Sequence, residues 1–401
     1  FLEIQHQFAH SVEHTLLKFS IPKENKISML AIESIFAQMH AVHTGLNFTQ
    51  RFIEGKFQLT YHLEIVSFGG KVSLLMRIPK KTEGLVKAAF YAQYPECEIQ
   101  EVEDYMKNVH FDPYDPNCPI DIFGFEWNLV KPQYGPIKTY KDFESPASEQ
   151  KIIDPLQSLW ESLSQIKPHE FYGIQISIQP LADSEWQDKA AAYVQQLLGN
   201  EVHAAGSLLS AIMAPVYKLA LFDVKSLLKA PAHDDHGEEK PKEKTFLNLS
   251  EVEKEQITLV QRKAGKPGYK TKMRHLYIAP KDKMDGNVKM VIIGSIRGLG
   301  SINHNQFKPD VTRTWTAKDY IISPVLEKPY LDSIIKERKK WFFAGYKGRD
   351  NHIGLPQVIL NVEEIATLYH FPLTPSLEGM TPAPVERIES KKVAPPANLP
   401  I

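Results

Sequence analysis

His40 and His43 stand three apart on a segment with helical spacing, close enough to share a metal ion. No carboxylate or cysteine follows at a matching interval, so ordinary helix-surface histidines account for them. His233-Asp234-Asp235-His236 carries better ligand chemistry. It sits in a charged stretch, where a metal would have to order the loop holding it. Gly265-Lys266-Pro267-Gly268-Tyr269-Lys270-Thr271 has the look of a phosphate loop. It lacks the G-x-x-x-x-G-K-[ST] spacing that aims amides and a lysine at phosphate, and it leads into a strand pattern rather than a helix start. It reads as a turn. Gly298-Leu299-Gly300 is too short for a dinucleotide fingerprint. No Ser/His/Asp set or Cys/His pair can be singled out. With 48 acidic residues, any choice of an acid–base pair would be arbitrary. No catalytic, cofactor-binding or metal-binding residue is assigned.

Two basic clusters remain. Residues 262–283 hold eight Lys or Arg against one acid, Asp282, and residues 336–349 hold six against Glu337. On the strand pattern Tyr269–Ala279, Lys270, Lys272 and Arg274 project from one face. They could touch a nucleic-acid backbone. A solvated face or an intersubunit salt-bridge surface is the plainer reading, since the aromatic platform of single-strand binders is missing.

The 401 residues suffice for two or three domains. A content of 43% hydrophobic and 24% charged residues is ordinary for a globular protein. The formal net charge of −1 gives no global pull toward nucleic acid or acidic membranes, so such contacts must be local. Two cysteines, Cys97 and Cys118, are too few for a disulfide scaffold or a zinc site and fit a reducing compartment. The apolar run Ala204–Val224 is broken by Pro215 and carries Lys218, which favours a helical hairpin or surface-lying helix over a membrane span.

The first hundred residues carry the clearest pattern. Leu17, Phe19 and Ile21 alternate with polar residues, and Pro22 ends the strand. Ile32, Ile35, Phe36 and Met39 follow at helical spacing, with Ser28 as a candidate N-cap. Phe57 to Ile65 and Val72 to Ile78 read as a hairpin around Gly69-Gly70. A helix over Leu85–Phe90 and a short strand at Cys97–Val102 complete a β-α-β-β-α-β order. Each strand has one apolar face, which predicts helices on one side of an antiparallel, ferredoxin-like sheet with its other side in water.

A second unit of similar plan starts near Ile120, with strands at Phe123–Leu129, Tyr172–Ile178 and Tyr269–Ala279 and a helix at Pro155–Ile166. Val288–Leu299 fits helix or strand. An insertion over about 183–265 is helical at both ends, and its centre, His233–Lys244, is too charged to bury itself. A helix over Tyr330–Phe343, a strand at Val358–Leu360 and a helix at Val362–Tyr369 precede a proline-rich run. Such a run acts as a semi-rigid connector. The fold class expected is therefore α+β. It comprises one ferredoxin-like domain over 1–110, a second α+β domain over 111–320, a helical segment over 321–371 and a linker over 372–401. A start at Phe1 and a proline-rich end read as a piece of a longer polypeptide.

Several stretches, in order, resemble a known family: "LLKFSIPKENKISMLAIESIFAQMHAVHTG", "YAQYPECEIQEVEDY", "PIKTYKDFE", "DPLQSLWESLSQIKPHEFYGIQISIQP", "VEEIATLYHFP" and "APPANLP". They look like the region ahead of the core in HerA/FtsK-like ATPases of the conjugation-coupling, type IV secretion kind, best known in candidate-phyla bacteria. The resemblance spans roughly Thr15 to Pro400 and is weakest over 183–265. It matches Tyr91, Gln93, Tyr94 and Pro95 to a motif leaving the second helix, and Leu368, Tyr369, His370, Phe371 and Pro372 to a pre-ATPase signature.

What the resemblance implies is a non-catalytic accessory module at the cytoplasmic face of the inner membrane. A membrane anchor would lie upstream, and a hexamer-forming motor using ATP and magnesium downstream. Secretion or conjugation components and DNA would be partners. No Walker residue has a counterpart here. The alternatives are a nucleic-acid-binding module using the basic clusters and an enzyme with its site between the two α+β units.

Overall fold

A computed structural model describes residues 2–22, 25–41, 45–143, 153–198, 249–317, 324–373 and 387–388. His43, His233–His236, the run Ala204–Val224 and most of the proline-rich run lie outside the described residues.

The first half contains α1 (Leu2–Ser11), β1 (His14–Pro22), α2 (Leu30–His40), α3 (Phe48–Phe52), β2 (Tyr61–Phe68), β3 (Lys71–Pro79), α4 (Glu83–Gln93) and β4 (Glu98–Val102). The second half contains β5 (Ile120–Leu129), α5 (Gln157–Ser164), β6 (Phe171–Pro180), α6 (Asp183–Leu197), α7 (Glu251–Ala264), β7 (Gly268–Pro280), α8 (Gly286–Arg297) and β8 (Phe307–Pro309). The chain closes with α9 (Pro324–Gly348), β9 (Val358–Asn361), α10 (Val362–Leu368) and β10 (Arg387–Ile388). The expected hairpin is present, with Gly69 at φ +55° and Gly70 at φ +86°, the left-handed pair a two-residue turn requires. The ambiguous stretch after Val288 is helical. The strand expected from Phe57 begins only at Tyr61, and ahead of it the Gln58 carbonyl accepts from Gln179 Nε2 at 2.5 Å.

The fold is α+β with an antiparallel sheet of ten strands among the described residues, β10 alone running parallel. The order is β10-β1-β3-β2-β6-β7-β5-β8, with β4 beside β1 and β9 beside β7. The halves join edge to edge through β2 and β6, from Tyr61 opposite Ile178 to Phe68 opposite Phe171. α2, α4, α5, α8 and α10 share one apolar core that crosses this joint, from Leu17, Ile32 and Phe36 to Trp160, Ile174 and Ile292. α6 and α7 pack on each other around Trp186, Ala190, Ile257 and Val260. Among the described residues no helix is long and apolar enough to cross a membrane.

The expectation of a sheet with one wet face does not hold. Every residue of β2 except Phe68 is buried, and β6 and β7 are buried almost throughout. The polar-looking face lies under α9 and the stretch 103–119. There Leu16, Val66, Leu75, Leu276 and Ile278 meet Met106, Phe342, Phe343 and Tyr346. Alternation shows which side chains are apolar, not which are covered. α9 can lie close because the sheet offers a notch. Val66, Gly173, Leu276 and Gly124 are cross-strand neighbours in one row. A Cβ on Gly124 would overlap the Phe342 ring, and one on Gly173 the Tyr346 hydroxyl.

Gly173→Val should therefore destabilise the protein by roughly 1–3 kcal/mol or more, seen as a lower urea midpoint. Gly294→Ala, on the exposed side of α8 with no neighbour within 4 Å, should instead stabilise by roughly 0.5–1 kcal/mol.

Candidate functional site

The basic face of β7 is the first site the sequence suggests. Arg274 is buried. Its Nε donates to Glu126 Oε1 at 2.7 Å, Nη1 to the Gly345 carbonyl at 3.0 Å, and Nη2 to the carbonyls of Asp350, at 2.6 Å, and Ile353. Lys272 Nζ donates to the carbonyls of Asn351 and Ile353, both at 2.7 Å. Burial lowers its pKa to about 8, against the pull of Glu126. Lys270 is half-buried. Lys272 and Arg274 therefore do not form a solvated or phosphate-contacting face, which corrects that expectation. The physical reason is α9: its last turn and the loop after it aim the Gly345, Asp350, Asn351 and Ile353 carbonyls at the strand, and these two cations supply donors to them.

The second site is the segment 362–373, which contains the second group of residues that the resemblance singled out. α10 is buried on all sides. Asn361 caps it in a reciprocal box with Glu364: Asn361 Oδ1 accepts from Glu364 N, and Glu364 Oε2 from Asn361 N, both at 2.9 Å. Glu364 also accepts from Ile137 N and pairs with Lys263 Nζ, both at 3.0 Å. Lys263 Nζ further donates to the carbonyls of Gln133 and Ile359. Burial pushes Lys263 down and Glu364 up, each partly countered by the other's charge. Glu363 meets Lys141 at 3.0 Å and Arg262 and Lys266 at 2.5 Å. Burial alone would raise its pKa, but hydrogen bonds from Lys266, Thr139 and Lys141 hold it at about 2. Lys266 also bridges to Glu33 of α2, which takes the Tyr140 hydroxyl at 2.8 Å. One chain of charges thus links α10, the insertion and both halves.

Beyond α10, the next residues are fastened in turn. Tyr369 Oη donates to the Leu75 carbonyl at 3.0 Å. His370 meets Asp154 Oδ1 through Nε2 at 3.0 Å and the Ala366 carbonyl through Nδ1 at 3.1 Å. Asp154 also accepts from Trp160 Nε1, Leu156 N and Leu373 N. Burial would raise the Asp154 carboxyl, but the His370 pairing and the backbone N–H groups outweigh it and hold it below the ordinary range. Asn25 Nδ2 reaches the Pro372 carbonyl at 3.2 Å. Phe371 lies 4.8 Å from Tyr94, edge to face, and 6.1 Å from Phe90. The two signature groups, distant in sequence, therefore meet through Tyr94 and Phe371. Leu368 and Pro372 are buried with them, whereas Tyr91 and Pro95 are exposed and Gln93 half-exposed.

Sequence reading missed Asp154, Asn25 and the two glutamates. The Asn361–Glu364 spacing of a capping box was a legible signal for one of them. Asp154 has none, since its partner lies 216 residues away. His40 is committed as well, its Nε2 lying 2.9 Å from the Leu181 carbonyl. The gap at the seam beside Thr139, Asp142, Arg262, His304 and Glu363 holds about 10 Å³, room for roughly one water. What the arrangement does chemically is fix the chain from Val362 to Leu373 against both halves. Compared with models of protein families and with curated proteins, the chain matches none.

Two outcomes follow from these pairings. Arg274→Ala leaves the buried Glu126 carboxylate with only the Leu355 N–H and Lys272, 3.9 Å away, and should cost about 3–5 kcal/mol in a denaturant titration. Asp154 and Glu363 both have folded pKa values below those of the free side chains, about 3.9 and 4.3. Their contribution is complete above about pH 5 and shrinks as the solution is acidified, that of Glu363 being lost as pH falls toward 2. The urea midpoint should drop across that window, and less steeply in Glu363→Gln.

Proposed function

We propose that this chain is a non-catalytic assembly region of a membrane-associated DNA- or protein-translocating ATPase of the HerA/FtsK-like, conjugation-coupling kind. Each half of its sheet would be a ferredoxin-like unit. The strand orders β4-β1-β3-β2 and β8-β5-β7-β6 support the second statement, with helices after the first and third strands of each half and the α6–α7 insertion between the second and third strands of the latter.

The observation that carries the functional reading is the fastening of Leu368–Leu373, where Tyr94 and Phe371 meet directly ahead of the proline-rich run. A motor joined through that run would hang from a fixed point tied to both halves, as a platform requires. The use of Lys272 and Arg274 inside the molecule turns the basic strand away from a nucleic-acid role and toward structure. The module would work at the cytoplasmic face of the inner membrane, with ATP and magnesium bound by the motor.

The gene gives the direct test. Its reading frame past Ile401 should encode an ATPase core with a phosphate loop, and this chain by itself should not hydrolyse ATP. A frame without such a core, or hydrolysis by the purified chain, would remove the reading.

A further inference from the structure

Single exposed apolar side chains are common on this surface, but α3 gathers three at one tip. Phe48 is 72% exposed, Phe52 48% and Ile53 62%. The two phenyl rings lie 4.7 Å apart. The tip is held in a set shape by a reciprocal cap, Asn47 Oδ1 accepting from Gln50 N at 2.8 Å and Gln50 Oε1 from Asn47 N at 3.1 Å. Beside it opens a groove of about 260 Å³, with Phe57, Leu59 and Tyr61 among its apolar walls and Lys56 and Lys81 among its polar ones. Arg51 and Lys80 are exposed alongside. Among the described residues the acids nearby include Glu54, paired with Lys56 at 2.5 Å, the exposed Glu13, and Glu83, paired with Lys87 at 2.6 Å.

Size decides between a protein partner and a lipid surface. An aromatic side chain buries roughly 150–250 Å², so three large side chains fall short of the roughly 800 Å² each partner contributes to a stable complex. A bilayer interface needs much less, a few apolar side chains at the acyl boundary with basic residues facing anionic headgroups. We infer that α3 and its basic rim form a peripheral contact for an anionic lipid bilayer. Phe48, Phe52 and Ile53 enter the boundary, and Arg51, Lys56, Lys80 and Lys81 meet lipid phosphate. The contact deepens the membrane-associated part of the proposed function. It can be tested on this chain alone, so its failure would leave the question of a downstream motor to the reading frame.

The experiment is co-sedimentation of the purified chain with vesicles of phosphatidylcholine, alone or mixed with an equal amount of phosphatidylglycerol. Binding to the mixed vesicles should be at least about tenfold stronger and should weaken as salt is added. Phe48→Ser/Ile53→Ser and Lys80→Glu/Lys81→Glu should each weaken it about tenfold while leaving the thermal midpoint in place. As a second readout, Phe48→Cys can carry an environment-sensitive dye, because the free Cys97 and Cys118 are buried. Its emission should shift to the blue with mixed vesicles only. Equal binding to neutral vesicles, unchanged binding in both double variants, or a dye that does not respond would overturn the inference. So would a dimer abolished by Phe48→Ser/Ile53→Ser in a chain that ignores lipid.

Discussion

Glu363 and Glu364 stand side by side at the start of a helix that has no solvent-facing side, so their charges must be met from within. Lys263 in the last turn of α7 and Lys266 just past its end supply the main counter-charges, joined by Arg262 and Lys141. Taking a carboxylate out of water costs several kcal/mol unless its partners are well placed. The positions of α7, of the stretch after β5 and of α2 are therefore tied to that of α10. An apolar helix in the same place would fill space without fixing which neighbours surround it.

The other side of the sheet obeys the same rule. Glu126, Glu64, Arg274 and Arg349 lie between the strands and α9, and Arg349 reaches Glu64 at 3.0 Å and Asp104 at 2.5 Å. The stretch from α9 to Leu373 thus covers one face, adds β9 to the sheet beside β7, and continues into the helix layer on the opposite face. One late segment straps both surfaces of a sheet built mostly from earlier residues. That is why a short segment near the end of the chain can serve the whole molecule.

Much of the local structure was legible. The β2–β3 hairpin followed from alternation and a Gly-Gly pair, and α2 from Ile32, Ile35, Phe36 and Met39, all buried. The joint between β2 and β6 was not legible, because edge-strand pairing leaves no mark on either strand's own pattern. The covered second face was misread for a related reason. His62, Glu64, Gln175 and Arg274 look like solvent-facing residues, and only partners brought from far along the chain make them buried ones. Lys272 and Arg274 were noticed for their charge, but their use depends on carbonyls some 71 to 81 residues away. Local pattern reports propensity and amphipathicity; it is silent on which distant group completes a buried polar atom.

The claim on which the rest turns is that residues 362–373 bind the two halves into one cooperative body. Native-state hydrogen exchange across a denaturant series measures this directly. Amides of β1 and β3 and those of β6 and β7 should converge on a single opening free energy, and Asp154→Ala should lower both sets together. Separate opening of one half, with the other protected and indifferent to the substitution, would contradict it.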